Sequence, residues 1–253
     1  MRILLTNDDG YRAIGINSLF KLLLSYGHDV IIIAPEMNSS GYSQSISVYT
    51  PVKIHQVSER VYFVSSTPAD SVRLGLQIVY GDTNNYPDLI ISGINLGENI
   101  GEDVLYSGTV GAAREGLIHN IPSLAVSTNG APDFVYMDDV AIVVLDLINR
   151  FHNNKEALNE AFMWNINIPH KKYTNIEYEA TKLGHRLAHE PFEKQITPRG
   201  EEVYWQGKAG AIYQPKIGTD LAVFIKQEKV SITPLEIYST NYNQMPIIAA
   251  ITG

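Results

Sequence analysis

The sequence predicts an α/β protein in which a mainly parallel sheet is buried on both faces by helices. Three observations carry this expectation. Runs of Ile, Val and Leu recur at strand length without polar alternation, as strands covered on both faces do. Most are followed by apolar residues at helical spacing. Polar loops rich in Asp, Asn, Ser and Gly follow several runs directly, where open α/β sheets bind ligands.

The first run, residues 3–6, leads into Asn7-Asp8-Asp9-Gly10. Asp-Gly between apolar runs is a hairpin signal, but no alternating strand follows it. Ile16, Leu19, Leu22, Leu23 and Tyr26 instead fall at helical spacing, and Gly27 stops the helix expected over 15–26. The unit therefore reads strand, acidic loop, helix. Further strands are expected at 30–34 in "DVIIIAPE", 89–92 in "DLIISGIN", 124–127 in "SLAVST" and 163–168 in "MWNINIP". Helices are expected at 68–80, 109–119 and 138–151. Thr67-Pro68-Ala69-Asp70 reads as a helix start, with Thr67 capping, Pro68 first and Asp70 three after the cap.

The texture changes past Pro169. We divide the chain there into an α/β core, 1–169, and an extension, 170–253, which together make one continuous unit. "TPRGEE" reads as the turn of a β-hairpin, and the apolar tail "MPIIAAITG" packs either on a partner subunit or on its own core. There are no internal repeats and no low-complexity tract.

Composition narrows the function. Of 253 residues, 45% are hydrophobic and 18% charged, which suits a globular protein with a sizeable core. The net charge of −8 argues against duplex nucleic acid as a partner, because that needs a basic footprint. No cysteine is present, so disulfides, thiolate zinc sites and cysteine nucleophiles are excluded. The opening residues read as a strand rather than an export signal, and no apolar run approaches the ~20 residues of a membrane helix. A cytoplasmic protein without membrane association is the expectation. Asn38-Ser39-Ser40 matches a glycosylation acceptor but lacks the export signal that would give it meaning.

Three loops concentrate chemistry. The first holds Asp8 and Asp9. The second, "PEMNSSGYSQS", holds Ser39, Ser40 and Ser43. The third, "SGINLGENIGEDVLYSGTVGAAREG", holds Asn95, Asn99, Asp103, Ser107 and Thr109. If the strands are parallel, all three emerge at one sheet edge and their oxygens converge. Carboxylate, amide and hydroxyl oxygens are hard ligands that suit Mg²⁺, Mn²⁺ or Ca²⁺. The competing reading is three ordinary surface loops made of the usual loop residues; the adjacent Asp pair tells against it.

The glycines at 93, 97 and 101 fit neither the dinucleotide fingerprint nor the triphosphate P-loop. Ser107, Gly108 and Thr109 open a helix whose Val110, Ala113 and Leu117 share a face, and such a helix start cradles phosphate or is simply capped by a hydroxyl. His185 and His189 form H-x-x-x-H without the metalloprotease glutamate, so a zinc pair is disfavoured. No G-x-S-x-G elbow appears, which disfavours a serine hydrolase.

The blocks "ILLTNDDG", "APEMNSSG", "STPADSVRLGL", "SGINLGENIGEDVLYSGTVGAAREG", "NINIP" and "VSITPL", in this order across almost the whole chain, closely resemble the SurE family, the survival protein E nucleotidases. The resemblance implies a three-layer α/β/α sandwich with a Rossmann-like sheet. It implies a divalent-metal-dependent phosphatase acting on nucleoside 5′- and 3′-monophosphates. It implies one Mg²⁺ or Mn²⁺ per subunit, and a homodimer or homotetramer in which C-terminal segments are exchanged. The implied metal ligands are Asp8, Asp9, Asn95 and the serine preceding glycine, Ser40; Asp8, Asp9 and Asn95 would serve catalysis. The implied phosphate-contacting turn is Ser107, Gly108 and Thr109. The chain departs from the family's frequent basic-Ser pair at Ser39-Ser40, and from its Gly-Tyr pair at Glu228-Lys229.

Overall fold

The computed structural model describes residues 1–129, 134–153, 161–187, 191–207, 212–213 and 215–252. His189 lies outside the described residues, as does the end of the apolar tail at Gly253. In chain order the described elements begin with β1 (Arg2–Thr6), α1 (Ile14–Ser25), β2 (Asp29–Pro35), β3 (Ile54–Ser58), β4 (Val61–Val64), α2 (Pro68–Leu74) and β5 (Leu89–Leu96). There follow α3 (Gly108–Ile118), β6 (Ser123–Thr128), α4 (Met137–His152), β7 (Met163–Ile168), β8 (Tyr178–Ala180) and β9 (Arg186–Leu187). The last are β10 (Phe192–Ile196), β11 (Glu202–Gln206), β12 (Ile212–Tyr213), β13 (Val230–Leu235) and α5 (Met245–Thr252).

Nine strands form one sheet in the order β3-β4-β2-β1-β5-β6-β7-β13-β8. From β4 to β7 every neighbour pair is parallel; β3 against β4 and β13 against β7 are antiparallel. The expected α/β sheet is thus present, and the strand order reverses between β1 and β5.

The unbroken apolar character of β1 has a direct cause. Ile3 and Leu5 face one layer, where α1 and α4 contribute Ile16, Leu19, Leu23, Val140 and Val144. Leu4 faces the other, with Val72 and Leu76 from the α2 side and Ala112 from α3. All three strand residues are fully buried. Neither face meets water, so neither can alternate.

The extension returns to the same sheet. β13, which contains "VSITPL", pairs with β7, and β8 closes the edge. "TPRGEE" does join an antiparallel hairpin, β10 with β11. The tail forms α5, and from Tyr238 to Ile251 the chain is exposed throughout; it does not dock on its own core.

Three local outcomes refine the sequence reading. The helix expected over 68–80 is α-helical only to Leu74 and continues as a wider π-type turn through Tyr80. Thr67 caps it as expected, its hydroxyl accepting from the Asp70 N–H at 3.1 Å. The hairpin of β3 and β4 was not anticipated: β3 is mostly exposed, and the one short apolar run, Val61–Val64 in β4, is only half-buried for most of its length.

Gly15 permits the closest helix–sheet approach at the site-bearing strand. A Cβ there would stand 2.0 Å from the backbone oxygen of Ile94. Helix propensity alone favours alanine over glycine by ~1 kcal/mol. The clash has the opposite sign and dominates: Gly15→Ala is expected to destabilise by about 1–3 kcal/mol, the usual cost of overpacking. A lower urea midpoint at unchanged slope checks this.

Candidate active site at the strand switch point

The candidate residues gather at the carboxyl ends of β1, β2 and β5, beside the amino end of α3. Open α/β sheets leave a crevice where the strand order reverses. Polar residues are buried here in unusual number: Thr6, Asn7, Asp8, Asn95, Asn99, Ser107 and Thr109.

The acidic loop is ordered by its own first residue. The Asn7 side chain accepts from the Gly10 N–H at 3.1 Å and donates to the Gly10 carbonyl at 3.0 Å. Gly10 sits at φ 99, in the left-handed region that glycine enters without penalty. The Tyr11 N–H then donates to the Pro35 carbonyl at 3.0 Å, tying the loop to the end of β2. Asp8 and Asp9 are thus held on a turn fastened at both ends.

Asp8 is 3% exposed. The Thr109 hydroxyl donates to its Oδ1 at 2.5 Å. Gly108 leaves it room, since a Cβ there would stand 2.9 Å from Asp8 Cβ and 3.1 Å from Oδ2. Burial raises the Asp8 pKa above the ordinary 3.8, while the Thr109 hydroxyl and the amides of Thr109 and Gly108 act against the rise. Asp9 is less buried. Its carboxylate accepts from the Leu96 N–H at 3.3 Å and from Asn38 Nδ2 at 3.3 Å. Burial first, and the Asp8 charge second, push its pKa up to about 6.

β5 delivers Asn95 to the same place. Its pairing with β6 is irregular between Ser92 and Asn95, and such a bulge re-aims the residues beyond it. The Asn95 side-chain nitrogen donates to the Gly97 carbonyl at 2.7 Å, which leaves Oδ1 as the free end of the amide. On the second loop the two serines differ. Ser39 is buried; its N–H donates to the Asp8 carbonyl at 2.6 Å and its hydroxyl is committed to the Met37 carbonyl at 3.3 Å. Ser40 is exposed, and its N–H donates at 2.9 Å to Asn38 Oδ1, the same amide that reaches Asp9. Asn38 therefore links Ser40 to the acidic pair, a role that sequence reasoning missed.

Of the turn expected to hold phosphate, Ser107 caps α3, accepting from the Val110 N–H at 3.1 Å. Gly108 and Thr109 face Asp8. Asn99 takes another part. Its backbone N–H donates to Asn167 Oδ1 and its carbonyl accepts from both Asn165 and Asn167, while its side chain donates to Ser127. This buried amide network fixes the loop after Asn95. The "NINI" alternation of β7 was its only trace in the sequence. His185 Nδ1 pairs with Glu102 Oε1 at 2.9 Å, and His189 is outside the described residues.

The described residues hold no group of three or more His, Asp or Glu able to bind a metal. The candidate donors are instead two carboxylates, the free Asn95 amide oxygen and a serine hydroxyl. Two carboxylates held against their mutual repulsion, with neutral oxygens beside them, fit a hard divalent cation and offer nothing to a soft one.

A family profile described as "Survival protein SurE" matches residues 3–190. A 5′-nucleotidase SurE of Nitrosomonas eutropha is 44% identical over 97% of this chain and 96% of its own. One from Aliivibrio fischeri is 40% identical over 98% of this chain and 93% of its own. The crystal structure of a SurE protein from Aquifex aeolicus superposes with a TM-score of 0.83 at 36% identity, covering both chains in full.

The raised Asp9 pKa has a definite consequence for the chelator-treated protein. A carboxyl whose folded pKa lies near 6 binds more protons folded than unfolded between about pH 4 and 6. Its contribution to stability therefore falls as pH rises through that window. Asp9→Asn removes this penalty and is expected to stabilise the metal-free protein at pH 7 by roughly 1–3 kcal/mol, with no gain at pH 4. Thermal unfolding of both proteins in EDTA across this range checks it.

Proposed function

Because the chain belongs to the SurE family, we propose that it is a cytoplasmic, divalent-metal-dependent phosphatase that hydrolyses nucleoside 5′-monophosphates, and 3′-monophosphates as well. The observation that carries this reading is the acidic pair held between two elements: Asp8 against Thr109 and Gly108 at the α3 amino terminus, and Asp9 against the N–H of Leu96, next to Asn95. The 5′-nucleotidase relatives, alike over nearly their whole length, support it.

Asp8, Asp9, Asn95 and Ser40 would hold Mg²⁺ or Mn²⁺, one ion per subunit. When bound, the cation would offset the charge of the phosphate dianion and lower the pKa of a coordinated water. The chain's own groups do the rest. The amino end of α3 presents a positive field, with Ser107, Gly108 and Thr109 at its first turn, and an incoming phosphoryl oxygen is favoured there. Thr109 fixes the orientation of Asp8 through its hydroxyl, so Asp8 is a rigid ligand. Asp9 is the more accessible of the two carboxylates. Asn95 is held with its oxygen free because Gly97 occupies its nitrogen.

Assembly as a homodimer or homotetramer is part of the proposal. It is supported by α5, whose Met245, Ile247, Ile248 and Ile251 are all at least half exposed. No described helix is long and apolar enough to cross a membrane.

Asp8→Asn is expected to abolish EDTA-sensitive phosphate release from AMP while leaving the circular dichroism spectrum unchanged. Thr109→Val should cost less, about 10²-fold in kcat, because it loosens the orientation of Asp8 while leaving the carboxylate in place. Near-normal turnover in Asp8→Asn would remove Asp8 from the reaction, and nucleotide binding without phosphate release by the wild type would leave only a binding module.

A further inference from the structure

We propose that the nucleoside of the substrate lies in the cavity between the ends of β2 and β4, with the Glu36 carboxylate accepting from the ribose hydroxyls and Tyr42 covering the base. This rests on the nucleotidase reading and adds to it where the non-reacting part of the substrate binds.

The cavity measures about 370 Å³, within the range of small-molecule sites. It adjoins the acidic pair through three of its lining residues. Asn38 bonds Asp9, the Ser39 N–H bonds the Asp8 carbonyl, and Thr67 precedes Pro68, whose Cγ packs 3.2 Å from where a Gly108 Cβ would stand. A phosphate at the α3 amino terminus thus has this cavity as its immediate neighbour.

Charge and shape set the orientation. Glu36 follows β2 directly, and its backbone N–H is fastened to the Val64 carbonyl at 2.9 Å. An acidic side chain carried on this anchored backbone repels a phosphate but accepts from a cis-diol. In βαβ nucleotide-binding units, an acidic residue beyond the second strand takes the ribose hydroxyl in the same way. The hydroxyls deeper in the cavity are already engaged: Ser47 bonds Ser66, and Ser66 bonds Asp70. Glu36 therefore remains the acceptor for the sugar. Tyr42 and Met37 are 55% and 73% exposed at the rim, which puts a flat apolar surface where a base can stack.

A second cavity of similar volume lies past β6 and β7, lined by Asn129, His170, Lys171 and Glu228. It is the weaker candidate. Its Lys171 ammonium already donates to the Glu228 carbonyl at 2.5 Å, and none of its lining residues makes a recorded hydrogen bond to Asp8 or Asp9.

The test is steady-state phosphate release by the full chain in saturating Mn²⁺, with AMP, dAMP and p-nitrophenyl phosphate. Glu36→Gln should raise the KM for AMP about tenfold with kcat little changed, and erase the preference for AMP over dAMP. Tyr42→Ala should raise KM for both nucleotides, each by at least fivefold more than for p-nitrophenyl phosphate. Lys171→Ala should leave the AMP KM within twofold. The proposal is overturned if Glu36→Gln and Tyr42→Ala leave AMP kinetics untouched, if all three substrates suffer alike, or if Lys171→Ala alone raises the AMP KM. Hydrolysis of p-nitrophenyl phosphate with none of AMP by the wild type would overturn the nucleotidase reading itself, and the subsite with it.

Discussion

The buried carboxylate of Asp8 at the amino end of α3 is the contact on which the site depends. Taking a charge out of water costs several kcal/mol unless donors replace the lost solvation. Here the replacement comes from the first turn of a helix: the Thr109 hydroxyl, the neighbouring amides, and the partial positive charge of the helix end. The compensation is incomplete, since burial still raises the pKa of Asp8. Asp9 cannot relieve it, being a second negative charge next in sequence, and its own pKa is pushed up to about 6. The fold thus carries unresolved negative charge at its switch point. A divalent cation would remove that strain, and this is the physical case for the proposed ion.

Much of the surrounding architecture keeps this arrangement rigid. Glycine appears where a side chain would push the elements apart: Gly15 against Ile94, Gly108 against Asp8, and Gly111, where a Cβ would stand 2.3 Å from the Ser43 backbone oxygen. The long loop from Glu36 to Val52 has no regular hydrogen-bonded structure, yet it is fastened at several points. Gln44 bonds Glu115, the Ser47 N–H bonds Asp70, and the Thr67 hydroxyl bonds the Ser45 carbonyl. Glu115 is in turn met by Arg73 and His119. Helices α2 and α3 therefore serve the loop bearing Ser40 as well as the apolar core.

The parts of the fold that rest on repeating patterns were legible in the sequence. Strands buried on both faces announce themselves, and so did the Thr67 cap and the hairpin around "TPRGEE". What escaped had weak local signals. The β3–β4 hairpin is a half-exposed edge, and the wide turn after Leu74 opens at Gly75, which packs so tightly on the sheet that a Cβ would stand 2.6 Å from Ile33 Cδ1. At the site, Asp8, Asp9 and Asn95 were readable because carboxylates and amides clustered after apolar runs have few structural reasons to be there. Asn38 and the Asn99–Asn165–Asn167 network were not, since their partners are up to 68 residues away in sequence. The departure at Glu228 acquires a physical meaning only in the structure: it sits at φ 51, a left-handed conformation that glycine enters more easily.

The same switch point that elsewhere carries a glycine-rich loop here carries two carboxylates, and this substitution changes what can bind. A glycine-rich turn lets bare amides approach a pyrophosphate, so the ligand's charge is met by the backbone alone. In this chain the first amides of α3 already face Asp8. On the proposed reading, an anionic phosphate enters together with a cation, and the candidate donors beside it are oxygens suited to a hard ion. The rest of a nucleotide must then leave the crevice along a wall that tolerates no second phosphate. Glu36 at the end of β2 makes such a wall. A single phosphate bound to a sugar fits both constraints, whereas a dinucleotide's second phosphate would meet a carboxylate.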